Sequence, residues 1–284
     1  MAKAKVKTRY VCQHCGYVAS SWLGKCPECG TWDSLVEEVE TKTREKGFVS
    51  FIEGSRPRTI RSVSAKPVER LATGIGEFDR VLGGGIVPGS LVLLSGDPGI
   101  GKSTILLDTA MRFSQQGVKI LYVSGEESEE QTAMRARRLG HCADSLLIMT
   151  ASEIGGILVQ ADREKPSLLV IDSIQTMYCS DIETAAGSVG QVRECAARLL
   201  KYAKTTGTAV LVIGHVTKDG TIAGPRVLEH MVDTVLQFEG DKSYTFRVLR
   251  ALKNRFGSTD ECGIFSMEQG GLREVPNPAG LFLE

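Results

Sequence analysis

The sequence predicts an α/β fold: a mostly parallel sheet with helices on both faces, an antiparallel extension late in the chain, and a small cysteine-rich unit in front. Three observations predict it. Short apolar runs at Leu91–Ser95, Ile120–Ser124, Leu168–Ile171 and Thr208–Ile213 are separated by stretches of helical periodicity, the pattern of a parallel sheet covered on both sides. Beyond Thr234 the alternation changes to strand and turn, at Thr234–Phe238, Tyr244–Ala251 and Cys262–Met267. Near the N-terminus, two C-x-x-C pairs fall within residues 12–29.

The bulk numbers exclude several classes. A chain of 284 residues, 42% hydrophobic, has room for one large domain with a small appendage. Lys+Arg and Asp+Glu are both 34, so net charge supplies no general pull toward nucleic acid or membrane. No apolar run reaches membrane-spanning length, and Met1-Ala2-Lys3-Ala4-Lys5 lacks the apolar centre of a signal peptide. A cytoplasmic location without membrane contact is expected. Of eight cysteines, Cys142, Cys179, Cys195 and Cys262 are scattered and are expected to be small buried or neutral residues.

Taken in order, residues 1–35 read as a four-cysteine ribbon. Cys12 and Cys15 form one pair, Cys26 and Cys29 the other, and Gly16 and Gly30 follow them. Glycine permits the tight turn on which two thiolates converge. Four thiolates at this spacing match a tetrahedral structural zinc site, whose metal supplies the folding energy that so short a stretch lacks. A redox role would want a βαβ surrounding, and none is visible. His14 is expected to be exposed and not a ligand. Trp22 and Trp32 are expected to cover the ribbon, or, if exposed, to contact DNA bases. Residues 36–66 run from acidic (Glu37, Glu38, Glu40) to basic (Arg56, Arg58, Arg61, Lys66) with little apolar periodicity. They read as a solvated tether, or as a basic arm touching phosphates or a neighbouring subunit.

Residues 67–284 read as the large domain. Its organising stretch is GDPGIGKST: Gly96, Asp97, Pro98, Gly99, Ile100, Gly101, Lys102, Ser103 and Thr104. It fits G-x-x-x-x-G-K-[ST] between an apolar strand and a helix at Ile105–Phe113, the context that makes this motif a phosphate-binding loop. Backbone N–H groups and the helix N-terminus suit the phosphates of ATP; Lys102 would reach the outer ones and the Ser103 hydroxyl would hold Mg2+. The next strand, Ile120–Ser124, leads through Gly125-Glu126-Glu127-Ser128 into a charged helix ending near Gly140. Leu146–Met149 is a further strand, followed by a helix expected to be capped by Ser152. Val189–Thr205 is an amphipathic helix.

Leu168-Leu169-Val170-Ile171-Asp172 is an apolar strand ending in an acid, about seventy residues after the phosphate loop. Asp172 is therefore expected at the magnesium hydration shell, with Ser173 and Gln175 near the γ-phosphate. Hydrolysis also needs a base, and Glu126 just past Ser124 is the first choice. Glu127, Glu129 and Glu130 read as acids at a helix N-terminus. Late in the chain, Lys253-Asn254-Arg255-Phe256-Gly257 offers two cations, either a solvated turn or catalytic charges reaching across a subunit interface.

GDPGIGKST, SGEES, LLVIDS, GHVTK (Gly214–Lys218), AGPRVLEHMVDTV (Ala223–Val235), KNRFG and the four-cysteine motif together resemble the bacterial RadA/Sms family of RecA-like ATPases, along essentially the whole chain. The resemblance implies a RecA-like core and a DNA-stimulated ATPase of recombination and repair. Such an ATPase forms a homo-oligomeric ring, a hexamer, binds single-stranded and branched DNA, works with the RecA recombinase and translocates in the manner of DnaB. It puts Lys102, Ser103 and Asp172 at the nucleotide and Glu126 at the catalytic glutamate. Lys253 and Arg255 become fingers acting in trans, and the loops Thr184–Val189 and Thr217–Arg226 face DNA. The family continues into a domain resembling the Lon protease domain, which this sequence lacks, so a weakened ring is expected. Two readings compete: a KaiC-like ATPase acting on protein, and a non-hydrolysing adaptor switched by nucleotide.

Overall fold

The computed structural model describes residues 7–40, 59–62, 69–140, 143–215, 226–240, 246–268 and 270–275. Most of the tether, Cys142 and nearly all of the Thr217–Arg226 loop lie outside the described residues.

The N-terminal unit is a three-stranded antiparallel sheet. Its central strand β1 (Lys7–Cys12) pairs with β2 (Val18–Ala19) on one side and β3 (Leu35–Glu40) on the other. Strand β3 occupies the start of the stretch read as tether. Its core is small: Cys12, Ala19, Cys26 and Leu35, with Tyr10, Cys15, Tyr17 and Cys29 packed against them. Two thiols, an alanine and a leucine fill it, with no indole among them. Trp22 and Trp32 are 55% and 69% exposed and do not cover it; each ring has an atom within 4 Å of where a Cβ on Gly24 would sit. His14 is half-buried instead of exposed.

The large unit opens with α1 (Gly76–Leu82), then β4 (Leu91–Gly96), α2 (Lys102–Gln115), β5 (Ile120–Ser124), α3 (Glu129–Leu139) and β6 (Leu146–Thr150). There follow α4 (Ile154–Glu164), β7 (Leu168–Asp172), α5 (Val189–Thr206), β8 (Ala209–Ile213), α6 (Arg226–Met231) and strands β9 (Thr234–Glu239), β10 (Phe246–Asn254), β11 (Cys262–Glu268) and β12 (Gly271–Glu274). One nine-stranded sheet has the order β12-β11-β10-β9-β4-β8-β7-β5-β6. From β9 to β6 all neighbours are parallel; β9 to β12 are antiparallel.

The apolar runs are continuous because both faces of the sheet are buried. Val92 and Leu94 pack with α1 and α2 through Phe78, Ile105, Met111 and Phe113. Leu91 and Leu93, on the other face, pack with α4 and α5 through Ile157, Val192 and Leu199. Each such side chain contributes roughly 1.5–3 kcal/mol of burial. The cap of α4 is Glu153 and not Ser152: its carboxylate accepts from the N–H groups of Gly155 (2.9 Å) and Gly156 (2.5 Å). A longer side chain reaches back across a first turn that two glycines leave open.

Candidate nucleotide site and metal ribbon

Strands β4, β5, β7 and β8 are parallel, so their carboxyl ends share one edge. There the phosphate loop, Glu126, Asp172 and His215 come together. The loop leaves β4 at Gly96, whose φ of 141° and closeness to the Phe238 carbonyl, 2.7 Å from where a Cβ would sit, demand glycine. Asp97, Pro98 and Gly99 are exposed, Ile100 is buried, and Gly101, Ser103 and Thr104 are half-buried. Gly101 (φ 117°) lies under Leu272 and Met267, so the β11–β12 hairpin packs onto the loop.

Lys102 is 4% exposed. Its ammonium donates to the carbonyls of Gly96 (2.7 Å) and Asp97 (2.8 Å). Burial pushes its pKa down to about 8, against the pull of Asp172, Asp97 and Glu126 toward the charged form. Asp172 ends β7 and is buried. The Tyr122 hydroxyl donates to its Oδ2 at 2.6 Å, and Arg135 lies 3.6 Å from the same oxygen.

The two glutamates after β5 have different partners. Glu127 is paired with Arg135 at 3.0 Å. Glu126 is the more exposed, accepts from the Ser173 hydroxyl at 2.7 Å and lies 3.5 Å from His215 Nε2. Helix α3 begins only at Glu129, capped by Ser128 in a reciprocal box with Gln131. Glu129 and Glu130 are thus the acids of its first turn, and Glu126 precedes it. Burial, with the Lys102 charge beside it, lowers the His215 pKa, so the ring is neutral at pH 7. Both amide atoms of Gln175 are buried without a hydrogen-bond partner among the described residues, which suits a side chain that meets a ligand or water. A cavity of about 170 Å³ beside the loop is lined by Thr104, Arg135, Arg138, Leu139 and Met267.

Lys253 and Arg255 are elsewhere. Asn254 pairs with Thr234, which pairs with Val92 at the start of β4, so the KNRFG turn sits at the sheet edge opposite its own phosphate loop. Lys253 donates to the carbonyls of Glu229 (2.7 Å), Val232 (2.8 Å) and His230 (3.4 Å) at the end of α6. Arg255, 55% exposed along its side chain, lies 3.6 Å from Asp233. The segment from Thr184 to Ser188 is tied down by Gln191, whose amide donates to the carbonyls of Thr184, Ile182 and Cys179.

In the ribbon, the sulfurs of Cys12, Cys15, Cys26 and Cys29 all lie within 4.8 Å of one another, with Cys12–Cys29 at 3.6 Å and Cys15–Cys26 at 3.5 Å. Tetrahedral zinc with bonds of about 2.3 Å needs sulfurs roughly 3.8 Å apart. The four thiols fit zinc, and the phosphate loop fits ATP.

Sequence reasoning gave no role to His215, Tyr122 or Arg135. His215 follows an apolar strand at the same edge as Asp172, a rule that finds it once β8 is placed. Tyr122 reads as one more apolar strand residue, and Arg135 as one of many charges on α3, so neither carries a signal of its own.

Comparison with known proteins defines the class first. The chain belongs to the AAA domain family, which matches residues 57–221, and its residues 10–37 match the rubredoxin metal binding domain. Over nearly its whole length it is similar to proteins named DNA repair protein RadA, as its motifs predicted. It is 52% identical to that of Bacillus subtilis, with 99% of this chain and 62% of that protein covered. With that of Listeria monocytogenes it is 51% identical, over 100% of this chain and 62% of that one. The chain therefore spans less than two thirds of the length of these relatives. A solved KaiC-like protein from Pyrococcus horikoshii shares the fold, with a TM-score of 0.61 at 20% identity, over 74% of this chain and 100% of that one. No helix among the described residues is long and apolar enough to cross a membrane.

Proposed function

We propose that this chain is the ATP-hydrolysing part of a cytoplasmic DNA repair ATPase that is stimulated by single-stranded DNA and moves along recombination intermediates. The observation that carries the hydrolytic reading is the meeting of Lys102, Asp172 and Glu126 at one sheet edge, where the Lys102 pKa responds to both carboxylates. Lys102 would leave the loop carbonyls for the outer phosphates of ATP. Ser103 and Asp172 offer the hard oxygen donors that Mg2+ prefers, and the ion would supply charge neutralisation at the phosphates. Glu126, oriented by Ser173, would take the proton of the water that attacks the γ-phosphorus, leaving ADP and phosphate. Neutral His215 would steady that carboxylate and, two residues ahead of the Thr217–Arg226 loop in the sequence, would link it to DNA. Action on DNA rests on the likeness to DNA repair protein RadA; a ring and work with RecA rest on the family resemblance of the motifs. Lys253 and Arg255 would serve a neighbouring subunit, since they lie opposite their own loop.

The test is ATP hydrolysis with and without single-stranded DNA. We expect stimulation by DNA and loss of turnover in Glu126→Gln. Turnover indifferent to DNA would favour the KaiC-like reading; nucleotide binding without turnover would favour the adaptor.

A further inference from the structure

Tyr122 sits in the middle of β5, fully buried between α2 and the sheet. Packing there asks only for an aromatic ring, and a buried hydroxyl is a cost unless it is bonded. The hydroxyl is bonded, at 2.6 Å, to Oδ2 of Asp172 on the adjacent strand β7. Strands β5 and β7 pair in parallel with Tyr122 opposite Val170 and Ser124 opposite Asp172, so the ring reaches the carboxylate from two residues below. Arg135 of α3 backs the hydroxyl: its Nη2 donates to the Tyr122 oxygen at 3.3 Å and lies 3.6 Å from Asp172 Oδ2. The same guanidinium is held at 3.0 Å by Glu127. Donor and acceptor thus run in one line, Arg135 to Tyr122 to Asp172, and each bond polarises the next. Both donors engage the same oxygen, and Oδ1 has no hydrogen bond or ion pair among the described residues.

We propose that Tyr122, backed by Arg135, is the positioning residue for Asp172: it fixes Oδ2 so that Oδ1 is presented to the magnesium ion of a bound Mg–nucleotide. The inference rests on the nucleotide-site reading above and adds residues that the phosphate-loop motif does not contain. A carboxylate on a strand end otherwise has two torsions free. An ion that demands near-octahedral geometry discriminates against a donor that must first be ordered.

The experiment follows metal-dependent nucleotide binding, not turnover. A fluorescent ADP is titrated into the full chain across a series of MgCl2 concentrations and in EDTA, and Mn2+ binding to the ADP complex is read by electron paramagnetic resonance. In Tyr122→Phe the MgCl2 concentration for half-maximal tightening should rise about tenfold, the usual loss when the partner of a metal-binding group is removed. Affinity in EDTA should stay as in the parent, and the Mn2+ signal should broaden. Arg135→Lys, which keeps the charge and loses the planar fork, should shift the profile in the same direction by less, and it carries the test if Tyr122→Phe does not fold. Asp172→Asn is the reference and should abolish the Mg2+ dependence. A shifted profile in Asp172→Asn with a parental one in folded Tyr122→Phe would overturn the positioning role alone. An unchanged profile in Asp172→Asn would overturn the magnesium role of Asp172, and the inference with it.

Discussion

Lys102 is held under two opposing pressures. Burial favours the neutral amine, three carboxylates favour the ammonium, and the balance lies at about 8. Nucleotide phosphates would add negative charge on the side of the ammonium and raise that value. Binding should then take up a proton at pH 8, about half of one where the free lysine is half neutral. The uptake should vanish near pH 6.5, where the ammonium is already formed, and affinity should fall as pH rises above 8. Calorimetry of ADP binding in buffers of different ionisation enthalpy measures this directly, and Lys102→Met should lose the uptake. Zero uptake at pH 8 in the parent would mean that the amine never meets the phosphates. Lys102→Ala should fold and lose turnover by at least about a hundredfold, since it removes a charge aimed at the transition state. At this scale the sequence was legible where chemistry forces a fixed spacing, as from Gly96 to Ser103 and at the end of an apolar strand. Tyr122 and Arg135 were not legible, because their role arises from strand pairing and helix placement, which bring residues fifty and thirty-seven apart in sequence from Asp172 onto one oxygen.

Among the elements, the ribbon depends most on something outside its own packing. Its core is Cys12, Ala19, Cys26 and Leu35, edged by Cys15, Cys29 and two tyrosines, and both indoles are outside it. Replacing Cys12 by Ser removes a sulfur from the centre of that core and a ligand from the metal. We expect one zinc per chain by elemental analysis of protein purified without chelator, and its loss in Cys12→Ser. Hydrogen exchange should then lose protection across β1 to β3 and keep it in the nine-stranded sheet. Protected ribbon amides in a zinc-free chain would show that packing alone suffices. The strands of the parallel block were readable from sequence because burial on both faces leaves unbroken apolar runs, as in Leu168–Ile171. Element ends were less readable: the cap of α4 passed from Ser152 to Glu153 because a longer carboxylate reaches over Gly155 and Gly156. Strand β3 was hidden because Glu37, Glu38 and Glu40 look like solvent-facing tether, although an antiparallel edge strand tolerates such residues.

For the whole molecule, the question is what a turn of two cations does at the edge opposite its own phosphate loop. Lys253 and Arg255 cannot reach the ATP of their own chain across a sheet whose register puts Asn254 beside Thr234 and Val92. A head-to-tail assembly would bring that edge against the phosphate loop of the next copy, and a heterologous contact of this kind gives a ring where its rotation closes and a filament where it does not. The two cations differ in readiness. Lys253 is engaged by three carbonyls at the end of α6, and the Arg255 side chain is largely exposed and, among the described residues, has a long contact to Asp233. Arg255 would therefore enter a neighbour's site first, with Lys253 following only if the end of α6 releases it. A cation supplied in trans is worth roughly a thousandfold or more in rate. Substituting both by Ala should remove most DNA-stimulated hydrolysis and leave ADP binding intact, and Arg255→Ala alone should account for most of that loss. The decisive measurement mixes the Lys253→Ala, Arg255→Ala chain with a Glu126→Gln chain. Each supplies what the other lacks, so interfaces pairing an intact Glu126 site with intact cations should regain hydrolysis in proportion to their abundance. If mixed assemblies form, as judged by differently labelled chains co-migrating, and hydrolysis does not return, the cations contact DNA instead and the head-to-tail arrangement loses its catalytic rationale.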